Sequence, residues 1–258
     1  MASITAKCAA LLLLCAGTLH HAALAENRPH QLRIMAYNVR GGMDIEGVRN
    51  YDHAADVIRQ CRPDVCALQE LDSMTARNGQ TDALQEYARR CGMYGTFARA
   101  IEYDGGAYGI GLLSREKPDT VLRIPLPGRE ERRVLLVAEF PDYVFMATHL
   151  SLTEADQLTS IRMIDSVAGL YPHKAVYLAG DMNFTPDSEP CHHLRQTFVP
   201  LNDTTQCSWP ADNPRDAIDY IWGYVGTGHQ YRALEREVVH ATSQSDHRPV
   251  FCRVRYRP

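Results

Sequence analysis

Asp181 and Asn183 follow directly on Ala175-Val176-Tyr177-Leu178-Ala179, an uncharged run that ends at Gly180. Such a run reads as a buried strand. A carboxylate at its end has to be satisfied by hydrogen bonds or a cation, because a bare buried charge is costly. The arrangement recurs along the chain. Residues 32–39 form an apolar, β-prone run that carries Asn38 and leads into Gly41-Gly42, and Val65-Cys66-Ala67-Leu68 ends in Gln69-Glu70. Residues 143–150 carry His149, residues 217–225 carry Asp219, and Pro249-Val250-Phe251 follows Ser245-Asp246-His247. Polar and chelating side chains at the ends of separate strands are the trace left by a site assembled at one end of a sheet.

The rest of the pattern is consistent with such a scaffold. Residues 51–61 place Ala54, Ala55, Val57, Ile58 and Cys61 on one helical face before Pro63, and residues 81–91 do the same before Gly92. Residues 153–170 give the longest helical pattern, with Thr153 placed to cap it. Residues 94–103, 108–114, 120–124 and 133–140 read as consecutive strands separated by Gly, Pro and Asp, and residues 231–239 and 249–256 as two more. Residues 184–216 carry Pro186, Pro190, Pro200, Pro210 and Pro214 and read as a long loop with short elements. Many strands with a few interspersed helices predict two packed sheets flanked by helices.

The first 25 residues have the form of a secretory signal. Lys7 gives the positive start, residues 8–16 are apolar, and Ala23-Leu24-Ala25 has a small-x-small cleavage pattern. The expectation is export to the periplasm or the exterior, with residues 26–258 as one mature domain. Lipid anchoring through Cys15 is the weaker reading, because Leu14 is large where such sites take a small residue. The apolar run is too short to span a bilayer, and no later segment reads as a membrane helix. A formal charge of −4 counts mildly against strong non-specific binding of duplex nucleic acid. Six of the eight cysteines lie beyond the leader, none in a Cys-x-x-Cys pair, which argues against a zinc site. If any pair forms in an oxidising compartment, Cys191 with Cys207 is the first expectation.

Seven short words recur in order: Ala36-Tyr37-Asn38-Val39, Leu68-Gln69-Glu70-Leu71, Gly109-Ile110-Gly111-Leu112-Leu113-Ser114, Thr148-His149-Leu150, Gly180-Asp181-Met182-Asn183, Ile218-Asp219-Tyr220-Ile221 and Ser245-Asp246-His247-Arg248-Pro249-Val250. Together they resemble the endonuclease/exonuclease/phosphatase superfamily across essentially the whole mature chain. The resemblance implies a DNase I-like fold, a four-layered α/β/β/α sandwich of two mixed sheets flanked by helices. It also implies a metal-dependent phosphoric ester hydrolase. Glu70 matches the principal metal-binding carboxylate, with Asn38 beside it and Asp246 as a further ligand or a support for His149. The cation implied is Mg²⁺, with Mn²⁺ as substitute. Asp181 matches the residue that orients or deprotonates the attacking water, and Asn183 the one that holds nucleophile or phosphoryl oxygen. His247 matches the imidazole at the scissile phosphate, and Asp219 the carboxylate that orients it. Arg77 and Tyr108 are further candidates for contact with substrate phosphate, Tyr108 one place off the family tyrosine.

His149 stands where repair nucleases of this kind carry Asn, and Arg40 where they carry an acidic residue, so abasic-site repair is disfavoured. The leading expectation is a phosphodiesterase whose substrate is a small molecule, a lipid headgroup or a nucleic acid, acting as a monomer. The alternatives are a phosphomonoesterase on a phosphorylated polyol or inositol, and a secreted DNase. A silent binding protein on this scaffold would be expected to lack one of Glu70, Asp181, Asn183 or His247, and all four are present.

Overall fold

The computed structural model describes residues 30–257, so the leader, Cys15 and the expected cleavage site lie outside the described residues. One sheet contains β1 (His30–Asn38), β2 (Val65–Ser73), β3 (Tyr94–Tyr103), β4 (Gly106–Ser114), β11 (Gln230–Val238) and β12 (Val250–Arg257), in the order β11-β12-β1-β2-β4-β3. The other contains β5 (Thr120–Leu126), β6 (Arg133–Glu139), β7 (Tyr143–His149), β8 (Ala175–Asp181), β9 (Phe198–Pro200) and β10 (Asp219–Tyr224), in the order β5-β6-β7-β8-β10-β9. Both sheets are mixed: β1 runs parallel to β2 and β7 parallel to β8, while hairpin neighbours such as β3 and β4 are antiparallel.

Side-chain alternation builds three apolar layers from these strands. In β6, Val134, Leu136 and Ala138 face the inter-sheet core, whereas Leu135 and Val137 face the outer helices. In β8 the split is Ala175, Tyr177 and Ala179 against Val176 and Leu178. Strands covered on both faces have no polar side to show, which is why they read as unbroken apolar runs. The outer layers are α1 (Tyr51–Cys61) with α2 (Ala83–Cys91) on the first sheet, and α3 (Glu154–Ala168) with α4 (Glu189–Leu194) on the second. The architecture is the expected four-layered α/β/β/α sandwich of two mixed sheets.

Local chemistry sets the helix limits. Asn50 and Asp82 accept N-terminal backbone N–H groups of α1 and α2, and Arg62 and Gly92 close these helices in the left-handed conformation. Thr153 stands at the N-cap of α3 but makes no side-chain cap bond, and its own N–H is held by Ser151 Oγ. The Pro-rich stretch 184–216 contains α4 and β9. The pairing of Cys191 with Cys207 is not formed: both are free thiols, and Cys191 is packed in the outer core with Arg195 donating to its sulfur. Among the described residues, no helix is long and apolar enough to cross a membrane.

Candidate active site

Three strand ends of the second sheet lie side by side. In the register, His149 of β7 pairs with Asp181 of β8, and Asp181 pairs with Asp219 of β10. Each continues the inter-sheet face of its strand, one step beyond Ala147, Ala179 and, at the other end, Ile221. Asn38 does the same on β1, beyond Ile34 and Ala36. The site is therefore the rim of the inter-sheet core, where the same parity changes from apolar to chelating side chains.

Glu70 reaches this rim by a different device. Strict alternation from Val65 and Ala67 would bring Gln69 there. A bulge between Leu68 and Leu71 breaks the register, and Glu70 takes a left-handed φ of 60° inside it. A bulge re-aims a side chain in this way, and β2 continues to Ser73, further than its apolar run suggests. Gly180 meets a second local demand: a Cβ there would lie 1.9 Å from the Thr148 carbonyl oxygen, so only glycine lets β7 and β8 close beside the site.

Asp181 Oδ2 is the meeting point. Asn38 Nδ2 donates to it at 3.1 Å, and the ring nitrogens His149 Nε2 and His247 Nε2 lie 3.5 and 3.7 Å away. Its other oxygen accepts the Asn183 N–H at 3.0 Å. Asn38 Nδ2 also donates to Glu70 Oε1 at 2.9 Å, which ties the two carboxylates through one amide. Asn183, at φ 52°, donates through Nδ2 to the Leu150 carbonyl and accepts on its own carbonyl from Gln157. His247 Nδ1 bonds Asp219 Oδ2 at 2.9 Å, and the same oxygen accepts from Ser208 Oγ at 2.6 Å. Ser245 Oγ donates to the Asn38 carbonyl, anchoring the loop before β12 to the end of β1.

The electrostatics follow from burial and neighbours. Burial pushes the Glu70 carboxyl above its ordinary value, the Asn38 hydrogen bond opposes this, and Asp246 and Asp181 add to it. Burial would hold His247 neutral, yet the carboxylates of Asp219 and Asp181 overturn it and raise its pKa to about 10. His149 goes the other way: burial dominates, Arg133 and His247 reinforce it against Asp181, and its pKa falls to about 4. The two imidazoles, one charged and one neutral, thus face the same carboxylate oxygen.

All eight expected catalytic and metal-site residues converge here. Tyr108 and Asp246 also line the cleft of about 550 Å³ above them. Asp246 stands at the edge, 3.6 Å from Arg40 Nε. Arg77 does not join the cluster. Its Nε and one terminal nitrogen bind the buried Asp72 carboxylate, its plane lies over Tyr103, and it lines a smaller pocket of about 180 Å³ beside Glu70. Ser208 and Gln157 were missed, as no motif word covers them, and the cleft walls Glu130, Glu131, Arg133, Trp209 and Asp216 had no chemical signal of their own.

Glu70 and Asp246 offer carboxylate oxygens, a donor set that suits a hard divalent cation, whereas Asn38 turns its Nδ2 to Glu70 and Asp181 and its Oδ1 accepts the Arg40 N–H at 3.1 Å. Asp181, Asp219 and His247 bring further ligand atoms within 4.8 Å of one another, but Asp219 and His247 Nδ1 are already bonded together.

A two-sheet sandwich whose rim carries carboxylates, amides and a His–Asp pair is a metal-assisted hydrolase of phosphate esters. The family model described as Endonuclease/Exonuclease/phosphatase family matches residues 35–247, and the chain belongs to that family. Comparison with curated protein sequences gave no match. Among solved structures, the endonuclease/exonuclease/phosphatase from Bacteroides vulgatus is similar at a TM-score of 0.70 and 15% identity, over 87% of this chain and 98% of that one. TDP2 of D. rerio, complexed with a single-strand DNA product, gives 0.66 at 17% identity over 87% and 98%. A mannosyl-6-phosphatase of Bacteroides thetaiotaomicron VPI-5482 gives 0.64 at 14% identity over 87% and 99%. At these identities the likeness establishes the fold.

Proposed function

We propose that the protein is an exported, Mg²⁺-dependent phosphodiesterase that cleaves its ester by in-line attack of water. The observation that carries this reading is the position of Asp181 Oδ2, within 3.7 Å of an amide and two imidazoles and one hydrogen-bonded step from Glu70. Export rests on Lys7, the apolar run and Ala23-Leu24-Ala25 alone.

Bound by Glu70 and Asp246, with Asn38 holding the Glu70 carboxylate through its Nδ2, the cation would neutralise phosphate charge and polarise the bond to phosphorus. Asp181 takes the proton of the attacking water; its Oδ1 is fixed by the Asn183 N–H, so Oδ2 is presented to the cleft in one orientation. Asn183 has its amide nitrogen engaged by Leu150, which leaves its amide oxygen for the water. His247 is held in one orientation by its Nδ1 bond to Asp219 and carries its charge towards the phosphate oxygens. His149, neutral, adds an uncharged N–H to the same group. Most of the rate enhancement then comes from positioned charge, as phosphoryl chemistry requires.

The test is turnover of bis-p-nitrophenyl phosphate, plasmid DNA, sphingomyelin and phosphoinositides by the purified protein with Mg²⁺, with Mn²⁺ and with EDTA. Turnover that persists undiminished in EDTA would remove the metal from the mechanism.

A further inference from the structure

The walls of the cleft say more about the substrate than its floor does. Six carboxylates line it, those of Glu70, Glu130, Glu131, Asp181, Asp216 and Asp246, against one Lys or Arg side chain, Arg133, among the described residues. Arg133 is buried and gives both terminal nitrogens to its neighbours, one to Glu130 at 3.1 Å and one to Glu131 at 2.8 Å. The two arginines that line the smaller pocket beside Glu70 are also engaged, Arg77 by Asp72 and Arg40 by Asp246. Arg133, Arg40 and a divalent cation together bring four positive charges against the six carboxylates. The scissile phosphate meets the charged floor, but a second phosphate on either side of it would face carboxylates with no free guanidinium. At separations of several ångströms that repulsion is only partly screened. A polyanion is therefore a poor fit.

What the walls do offer is an aromatic platform and acceptors. Trp209 is 39% exposed, and its ring centroid lies 6.4 Å from that of His247, beside the reacting centre. Asp216 is held to Trp209 by a backbone bridge, and among the described residues its carboxylate has no hydrogen-bond partner. Glu131 binds Arg133 through one oxygen. A flat apolar face flanked by carboxylates suits a ring whose C–H groups cover the indole and whose hydroxyls donate outward.

Resting on the phosphoesterase reading above, we propose that the cleft takes an ester with a single phosphate whose flanking group is an uncharged sugar or cyclic polyol, seated on Trp209 and held by Glu131 and Asp216. The neutral hydroxylated ring satisfies both carboxylates without bringing further negative charge. A quaternary ammonium group would gain cation–π and charge attraction at the same surface, but it has no hydrogens to donate to those oxygens, so the choline ester is the comparison that decides between the two.

The experiment compares three diesters with the purified protein and Mg²⁺: glycerophosphoinositol, glycerophosphocholine and a 5′-phosphorylated thymidine trinucleotide. The expected kcat/KM for glycerophosphoinositol exceeds each of the others by about tenfold, the size of one hydrogen bond to a charged acceptor. In the Glu131→Gln and Asp216→Asn variants, KM for glycerophosphoinositol rises by about three- to tenfold with a smaller change in kcat, while kcat/KM for the trinucleotide rises. Equal or better cleavage of the trinucleotide or the choline ester by the parent protein overturns the proposal, as does an unchanged substrate ratio in both variants. If no ester, bis-p-nitrophenyl phosphate included, is hydrolysed with any divalent cation, the phosphoesterase reading has failed instead, and the substrate proposal falls with it.

Discussion

Asp181 and Glu70 both accept from one amide nitrogen, Asn38 Nδ2, and their roles separate on substitution. Asp181→Asn keeps an oxygen for the Asn183 N–H but removes the base, so kcat should fall by about 10²–10⁴-fold, the usual contribution of a positioned base. Circular dichroism and the Mg²⁺ concentration for half-maximal activity should change little. Glu70→Ala should act on the metal: the Mg²⁺ titration shifts to higher concentration, and an unmoved titration would take Glu70 out of the ligand set. The residues behind both predictions were legible in the sequence because each closes an apolar run, and a charge in that position needs a reason. Ser208 was not legible. Its 2.6 Å hydrogen bond to Asp219 links a Pro-rich loop to a strand that begins eleven residues later, and a lone serine in such a loop has no distinguishing pattern.

At the scale of elements, the approach of β7 to β8 is set by Gly180. Gly180→Ala puts a methyl group against the Thr148 carbonyl, and because that backbone oxygen is fixed in the sheet, the strands must part. The expected cost is about 1–3 kcal/mol of stability, read from the urea midpoint, together with lost activity as His149 and Asp181 leave register. A second device joins the loop before β6 to the loop before α3. Partial burial would raise the Glu130 carboxyl, but backbone N–H groups of its own residue and Leu152, Ser151 Oγ and Arg133 outweigh it and lower its pKa from 4.5 to about 2. A folded pKa below the unfolded one means stability that is present above about pH 4.5 and lost as the pH falls towards 2. The stability gap between the parent and Glu130→Gln should therefore be constant near neutrality and close across that acid window in urea melts. Neither device was readable beforehand. The glycine lay inside a motif word without its steric reason, and Glu130 looked like an ordinary loop charge.

For the molecule as a whole, what matters is that the site straddles the two sheets. Asn38 and Glu70 belong to the first, His247 to the loop that leads into β12 of that sheet, and His149, Asp181 and Asp219 to the second. Within the site, hydrogen bonds from Asn38 to Asp181 at 3.1 Å and between His247 and Asp219 at 2.9 Å join the two groups. The layered architecture was readable because strands covered on both faces stay apolar throughout. Which parity faced the partner sheet was not, since both faces carry the same residue types. β6 supplies a controlled comparison. Leu135 and Leu136 are adjacent, identical in type and fully buried, but Leu135 packs under the outer helices and Leu136 between the sheets. Truncation of either to alanine should cost about 2–5 kcal/mol in urea unfolding. Only the Leu136 cavity lets one sheet settle against the other, and displacements well below an ångström already weaken a positioned site. At a temperature where both variants are fully folded, Leu136→Ala should lose about tenfold in kcat and Leu135→Ala far less. Equal kcat losses at equal stability would mean that the spacing of the sheets does not set the geometry of the site.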